Sequence, residues 1–387
     1  MASDPDADAT PGDVFSAGLF PVCPATHEQG VRWLFDLATA ILLLDCKPGD
    51  RVLDLGAGSG FSSEMLARLG YTVVAVDPDH RAMRNNLRRP SFDAGRIQGR
   101  VTVADGVAER LPFADASFDG ALAMNVLHHV PDLPLATREL ARVLKPGARL
   151  AFCEPGLDHL KAEETQRARR EHGENDEPFD VLAFLREARS LGFAEAMLSA
   201  TLQSPLRLLP IADVDLFKTG RHPRPHMTEA GVLEELHRHH AYGMLVREGR
   251  KPLTSRYPGR LDARLTASLA DGFAAPGTTL TCTLEAENTG DSLWLSAPSR
   301  FGGFVTAGCK LLQPNGRLVH DTLGRTFLAR DVAPGTRIRV PMTITLPADL
   351  APGDYTLRID LVDELVCWFS DLGVTPIDRR LTVRSTS

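Results

Sequence analysis

Three acids follow short apolar runs in the first part of the chain: Asp54 after Arg51-Val52-Leu53, Asp77 after Val73-Val74-Ala75-Val76, and Asp105 after Val101-Thr102-Val103-Ala104. The first stands just before Gly56-Ala57-Gly58-Ser59-Gly60. Glycines at this spacing let a backbone turn sharply and let a ligand lie against the main chain. The free N–H groups of a helix starting there favour an anionic group. An acid some twenty residues further on, at the next strand end, can accept hydrogen bonds from both hydroxyls of a ribose. The pattern suits a ligand built on adenosine. The glycine loop by itself is shared with dinucleotide binders, and a tight turn with no ligand is the plainer alternative.

A fourth apolar run ends in Met124-Asn125-Val126-Leu127-His128-His129-Val130. Histidine titrates near neutrality, so His128 and His129 are candidate bases; packing beneath a ligand and capping a loop are their plainer roles. Glu154 follows a fifth run, at a strand end of the kind that faces a ligand crevice. The charged stretch 157–180 holds His159, Glu171, His172 and Asp180. A solvated lid is its ordinary reading, with His172 kept as a catalytic candidate. His222 and His226 have the spacing of a helical metal pair, but Pro223 and Pro225 break such a helix, so no metal site is expected.

These residues need a scaffold that brings strand ends together. Val52–Leu55, Val73–Val76, Val101–Ala104, Gly120–Met124 and Arg149–Cys153 read as buried strands, and Phe61–Leu69, Arg81–Leu87 and Leu135–Leu144 as helices. Lys145-Pro146-Gly147 reads as a stop and turn. Strand and helix in alternation imply an α/β fold with a doubly wound parallel sheet. Beyond Tyr257 the pattern changes to period two: Ile338, Val340, Met342, Ile344 and Leu346 share one face, and Pro314-Asn315-Gly316 is a hairpin signal. Several such strands imply an antiparallel β-sandwich. The expected division is a flexible N-terminus over 1–24, an α/β domain over 25–257 and a sandwich over 258–387.

The segments Val52–Gly60, Val73–Asp77, Asp105–Val130 and Leu140–Leu150 resemble, in order and spacing, the class I S-adenosylmethionine-dependent methyltransferases, in particular the group containing the ubiquinone and menaquinone methyltransferases. The resemblance implies a Rossmann-like seven-stranded sheet, with its last two strands near Ala194–Leu202 and Tyr242–Glu248 and a cap or insertion between them. It implies that Asp54, Gly56, Gly58 and Gly60 hold the methionine part of S-adenosylmethionine, Asp77 its ribose, and Asp105 with Gly106 its adenine. Asn125 would form the floor beside the sulfonium. Asn125 is followed by Val126-Leu127 rather than by the Pro-Pro-aromatic sequence of many N-methyltransferases, which lowers that chemistry.

The C-terminal part resembles the immunoglobulin-like β-sandwich modules of bacterial surface-polysaccharide proteins, including the glycan-binding domain of O-antigen ABC-transporter ATPases. The resemblance implies O-methylation of a sugar of a cell-surface polysaccharide or its precursor, with peripheral association with glycan-assembly machinery. Trp294 and Trp368 would stack on sugar rings, unless they fill the sandwich core. A quinone-like or other small acceptor, with a structural sandwich, is the second reading. A non-catalytic glycan-binding protein is the third.

A chain of 387 residues fits two domains, and a net charge of −7 speaks against a general nucleic-acid binder. The six cysteines form no Cys-x-x-Cys pair, as expected of buried thiols in a reducing compartment. The acidic N-terminus lacks the features of a signal peptide, and the apolar run Ala38–Leu44 is too short to span a bilayer, so a cytoplasmic location is expected.

Overall fold

A computed structural model of the chain describes residues 27–78, 81–86, 99–161, 166, 170, 178–199 and 240–384. The chain divides into two compact units, Met1–Lys251 and Pro252–Ser387, a few residues ahead of the boundary expected near Arg256–Gly259. The expected N-terminal tail and almost all of the expected insertion lie outside the described residues.

The first unit is an α/β layer structure. Strands β1 (Arg51–Leu55), β2 (Thr72–Asp77), β3 (Arg100–Asp105), β4 (Phe118–Met124) and β5 (Leu144–Pro155) run parallel. β6 (Phe193–Leu198) and β7 (His240–Arg247) complete the sheet, and β7 is antiparallel to both β5 and β6. The order is β3-β2-β1-β4-β5-β7-β6. Chain direction across the sheet reverses between β1 and β4, where open α/β sheets place their ligands beyond the strand ends.

Alternation along β1 explains why both faces are covered. Val52 packs with Leu37, Ala40 and Leu44 of α1 (His27–Leu44) and Leu66 of α2 (Phe61–Arg68). Leu53 and Leu55 join the opposite core, with Leu140 of α4 (Leu133–Val143) and Phe184 of α5 (Val181–Ala188). A short α3 (Arg81–Asn86) follows β2. Asp132 and Asp180 cap α4 and α5, their carboxylates accepting from Leu135 N and from Leu182 and Ala183 N.

One expected turn is strand instead. β5 begins at Leu144 and continues through Lys145-Pro146-Gly147. The sheet absorbs the proline and glycine by a register shift between the Phe118–Leu144 and Gly120–Arg149 pairs, with Gly147 at φ 73°. The helix α1 also carries more than the short apolar run read from sequence. No helix among the described residues is long and apolar enough to cross a membrane.

The second unit consists of two β-sheets around one core. One has the order β13 (Arg337–Thr345), β10 (Thr279–Asn288), β8 (Ala263–Ala267). The other has the order β12 (Leu318–Phe327), β11 (Val305–Leu312), β14 (Gly353–Asp363), β16 (Ile377–Val383), β9 (Gly272–Ala274), with β15 (Cys367–Trp368) paired to β14. All pairings are antiparallel except β9 with β16, which is parallel. The alternating face read in β13 is buried at Ile338, Val340, Met342 and Ile344, joined by Leu284 of β10, Ala307 of β11 and Ile359 of β14. Gly316, at φ 85°, closes the β11–β12 hairpin, where Gln313 N donates to Arg317 O.

Candidate functional site

The glycine loop joins β1 to α2 at the point where strand order reverses, and three of its glycines have left-handed backbones: φ is 64° at Gly56, 50° at Gly58 and 86° at Gly60. Their surroundings differ. A Cβ on Gly56 would run into the Val126 side chain, whereas one on Gly58 would meet no protein atom within 4 Å. Gly56 is therefore needed for packing of the loop on the β4 end, and Gly58 leaves open space for a ligand. Gly60 is the N-cap of α2.

That space is a cleft of about 890 Å³, a usual size for a small-molecule site. Gly58, Asp77, Gly106, Asn125, Val126 and His129 are among its lining residues. Asp105 lines an adjoining pocket that shares Pro78, Gly106 and Val107 with the cleft. Asp77 and Asp105 stand opposite each other in the β2–β3 register, so two carboxylates end neighbouring strands. Asp77 Oδ2 accepts from Gly58 N at 2.8 Å, and Arg84 of α3 lies 3.6 Å from Asp105. Asn125 holds a left-handed conformation, φ 52°, with its N–H bonded to Cys153 O at 2.8 Å. That bend turns the chain along the cleft floor at the end of β4.

Asp54 sits elsewhere. It is buried, and its Oδ2 accepts from the hydroxyls of Ser62 and Ser63 at 2.7 and 2.5 Å. Burial pushes its carboxyl up to about 6, against the lowering effect of those two hydroxyls. Its direct contacts are to the first turn of α2 and not to the cleft, so it shapes the loop that carries Gly56–Gly60. Sequence reading missed Ser62 and Ser63; hydroxyls in the first helical turn after a strand-end acid were the available signal.

The histidine segment is a short 3-10 turn, Leu127–His129. His129 lines the cleft, while His128 is buried beneath it. His128 Nδ1 lies 2.8 Å from Glu154 Oε2, and Glu154 Oε1 accepts from Val126 N at 2.9 Å and Leu127 N at 3.0 Å. The His128 ring lies 3.9 Å from that of His129 and meets His159 edge-on at 5.1 Å between centroids. Glu154, expected to face the crevice, is instead fully buried and engaged with this turn. Its position one residue inside the end of β5 explains the difference: the β4 loop folds over it. His172 lies outside the described residues, as do Glu171, His222 and His226.

In the second unit, Trp294 is fully buried and meets Phe369 edge-on at 5.5 Å. Trp368 is 8% exposed, with Lys310 Nζ 4.0 Å and Arg325 Cζ 4.3 Å from its ring centre. Neither indole presents an open face on which a sugar could stack.

Residues 53–152 match the family model described as a methyltransferase domain. This match lies within the first unit. The chain is 39% identical over 127 residues to a demethylmenaquinone methyltransferase of Thermobifida fusca, covering 33% of this chain and 52% of that protein. A demethylmenaquinone methyltransferase of Mycobacterium marinum is 40% identical over 148 residues, 34% of this chain and 58% of that protein. An O-methyltransferase of Aspergillus nomiae is 38% identical over 113 residues, 28% of this chain and 48% of that protein. The chain thus spans about half the length of the curated relatives it matches. The cleft has room for a nucleoside with a short charged tail: there is open space at Gly58 and there are carboxylates beside it.

Proposed function

We propose that the chain transfers a methyl group from S-adenosylmethionine to a hydroxyl-bearing acceptor bound beside His129. The observation that carries this reading is the cleft itself, with bare backbone at Gly58, carboxylates at the ends of β2 and β3, and an imidazole on its wall. Gly56, Gly58 and Gly60 shape the loop for the methionine part, and Asp54 fixes that loop through Ser62 and Ser63. Asp77 binds the ribose hydroxyls, giving up its bond from Gly58 N or sharing it. Asp105 and Gly106 frame the adenine, and Asn125 closes the floor.

S-adenosylmethionine supplies an electrophilic methyl group on a sulfonium. The domain's own task is to hold the acceptor oxygen in line with it. The oxygen–carbon bond forms as the carbon–sulfur bond breaks, and the acceptor's proton passes to His129 or to solvent. Glu154 and His128 act beneath, holding Val126 and Leu127 so that His129 faces the cleft.

A small hydroxylated ring, such as a quinol, is the favoured acceptor; the relatives named demethylmenaquinone methyltransferase support the ring, and the one named an O-methyltransferase supports transfer to oxygen. The second reading, O-methylation of a surface-polysaccharide sugar with the second unit as an immunoglobulin-like glycan-binding sandwich, rests on that unit's two β-sheets lying outside the matched residues 53–152. The covered tryptophans weigh against stacking as its mode of binding. Incubation with methyl-labelled S-adenosylmethionine, offered 1,4-dihydroxynaphthalene or purified polysaccharide, decides the matter. Label in the naphthol supports the first reading, label in the polysaccharide alone the second, and label in neither contradicts both.

A further inference from the structure

We propose that Arg32 and Asp36 of α1 form a recognition site for one hydroxyl group on an otherwise apolar methyl acceptor. The proposal rests on the methyltransferase reading and names the chemistry of its second substrate.

The course of α1 brings these residues to the correct edge of the sheet. Its C-terminal end lies at the strand starts: Leu44 packs against Gly120 of β4, and Arg149 Nη1 of β5 donates to Leu43 O at 3.2 Å. Its N-terminal half reaches the opposite edge. There Tyr242 Oη donates to Asp36 Oδ1 at 2.7 Å. Tyr242 pairs in register with Cys153, and Cys153 with Met124, the residue before Asn125 on the cleft floor. On its other side α1 places Trp33 against Phe61, 6.4 Å between ring centres, and Phe61 opens α2 directly after Gly60. The Arg32–Asp36 turn therefore stands between the glycine loop and the end of β5 with the start of β7.

The polar groups there are incompletely matched. Asp36 is fully buried; Oδ1 has Tyr242, but Oδ2 has no hydrogen-bond partner among the described residues, and neither does the buried Nε of Arg32. Arg32 is close enough to act electrostatically on the Asp36 carboxyl. A buried acceptor and a buried donor left unmade are costly. A hydroxyl group both donates and accepts, so a single one serves both atoms.

The surroundings set the rest of the ligand. Tyr242, which bonds Asp36, belongs to one apolar cluster with Phe35, Leu43, Met124 and Cys153. A sugar would bury further hydroxyls there without partners, whereas a hydroxylated aromatic ring would not.

Titrations of the full chain, with S-adenosylhomocysteine bound and oxygen excluded, provide the test. The probes are 1,4-dihydroxynaphthalene and its dimethyl ether. The wild type is expected to bind the diol about tenfold more tightly than the ether, the size of one charge-assisted hydrogen bond. Asp36→Asn keeps an acceptor for Tyr242 but puts an N–H donor in place of Oδ2, and should erase that preference. Arg32→Met should reduce it. Both variants should bind S-adenosylhomocysteine as the wild type does. Equal binding of the two probes by the wild type, or an undiminished preference in both variants, overturns the proposal and leaves the pair holding water. Failure of the wild type to bind S-adenosylhomocysteine would instead remove the methyltransferase reading.

Discussion

At the scale of single residues, the site is a set of carboxylates with different tasks assigned by burial. Asp77 lines the cleft and Asp54 does not, although Asp77 ends β2 and Asp54 is the last residue but one of β1. Replacing Asp77 by Ala should weaken S-adenosylmethionine binding at least tenfold by calorimetry, with a thermal midpoint close to that of the wild type, because no core contact is lost. Asp36 makes a pH prediction. Burial raises its carboxyl to about 6, with the Tyr242 bond and Arg32 lowering it in part. A raised carboxyl contributes its stability fully below the unfolded-state value and loses it as pH rises through about 6. A shift of this size is worth about 3 kcal/mol. Asp36→Asn lacks this titration, so its stability relative to wild type, from urea unfolding, should rise between pH 4 and pH 7 by up to that amount. Asp54 titrates in the same window in both proteins and cancels in the difference. The acids at 54, 77 and 105 were legible because each ends an apolar run. Asp36 was not, since an acid inside a helix reads as surface until its partner Tyr242, distant in sequence, is placed.

At the scale of elements, the β4 loop and the end of β5 form one device. Glu154, itself buried, accepts two backbone N–H groups, one buried and one partly buried, and meets one buried imidazole. Glu154→Ala strands these groups and should cost about 3 kcal/mol or more in unfolding free energy, since each unsatisfied buried donor costs about 1–3 kcal/mol. Glu154→Gln retains an acceptor oxygen for Val126 and Leu127 and should cost less. Gly56→Ala should disrupt the loop even without ligand: the backbone is left-handed and the Cβ meets Val126. Strand positions were readable from apolar runs because parallel strands are buried on both faces. The continuation of β5 through Pro146 was not, because a bulge that tolerates proline depends on the register with β4. The burial of Glu154 was equally hidden, as sequence places a residue near a strand end but not beneath a returning loop.

At the scale of the whole molecule, the two units have separate hydrophobic cores. Residues 252–387 expressed alone should therefore unfold cooperatively in urea, and a broad, non-cooperative transition would show that this core needs the first unit. The change from mixed to period-two patterning made the division readable, because the two fold classes bury side chains with different periods. The parallel pairing of β9 with β16 was not readable, because β9 has only three residues. Binding of S-adenosylmethionine by the first unit is tested most directly by calorimetric titration of the full chain. One molecule bound per chain, with binding lost in Asp77→Ala, is the predicted result. No binding by the wild type, or equal binding by that variant, would contradict it.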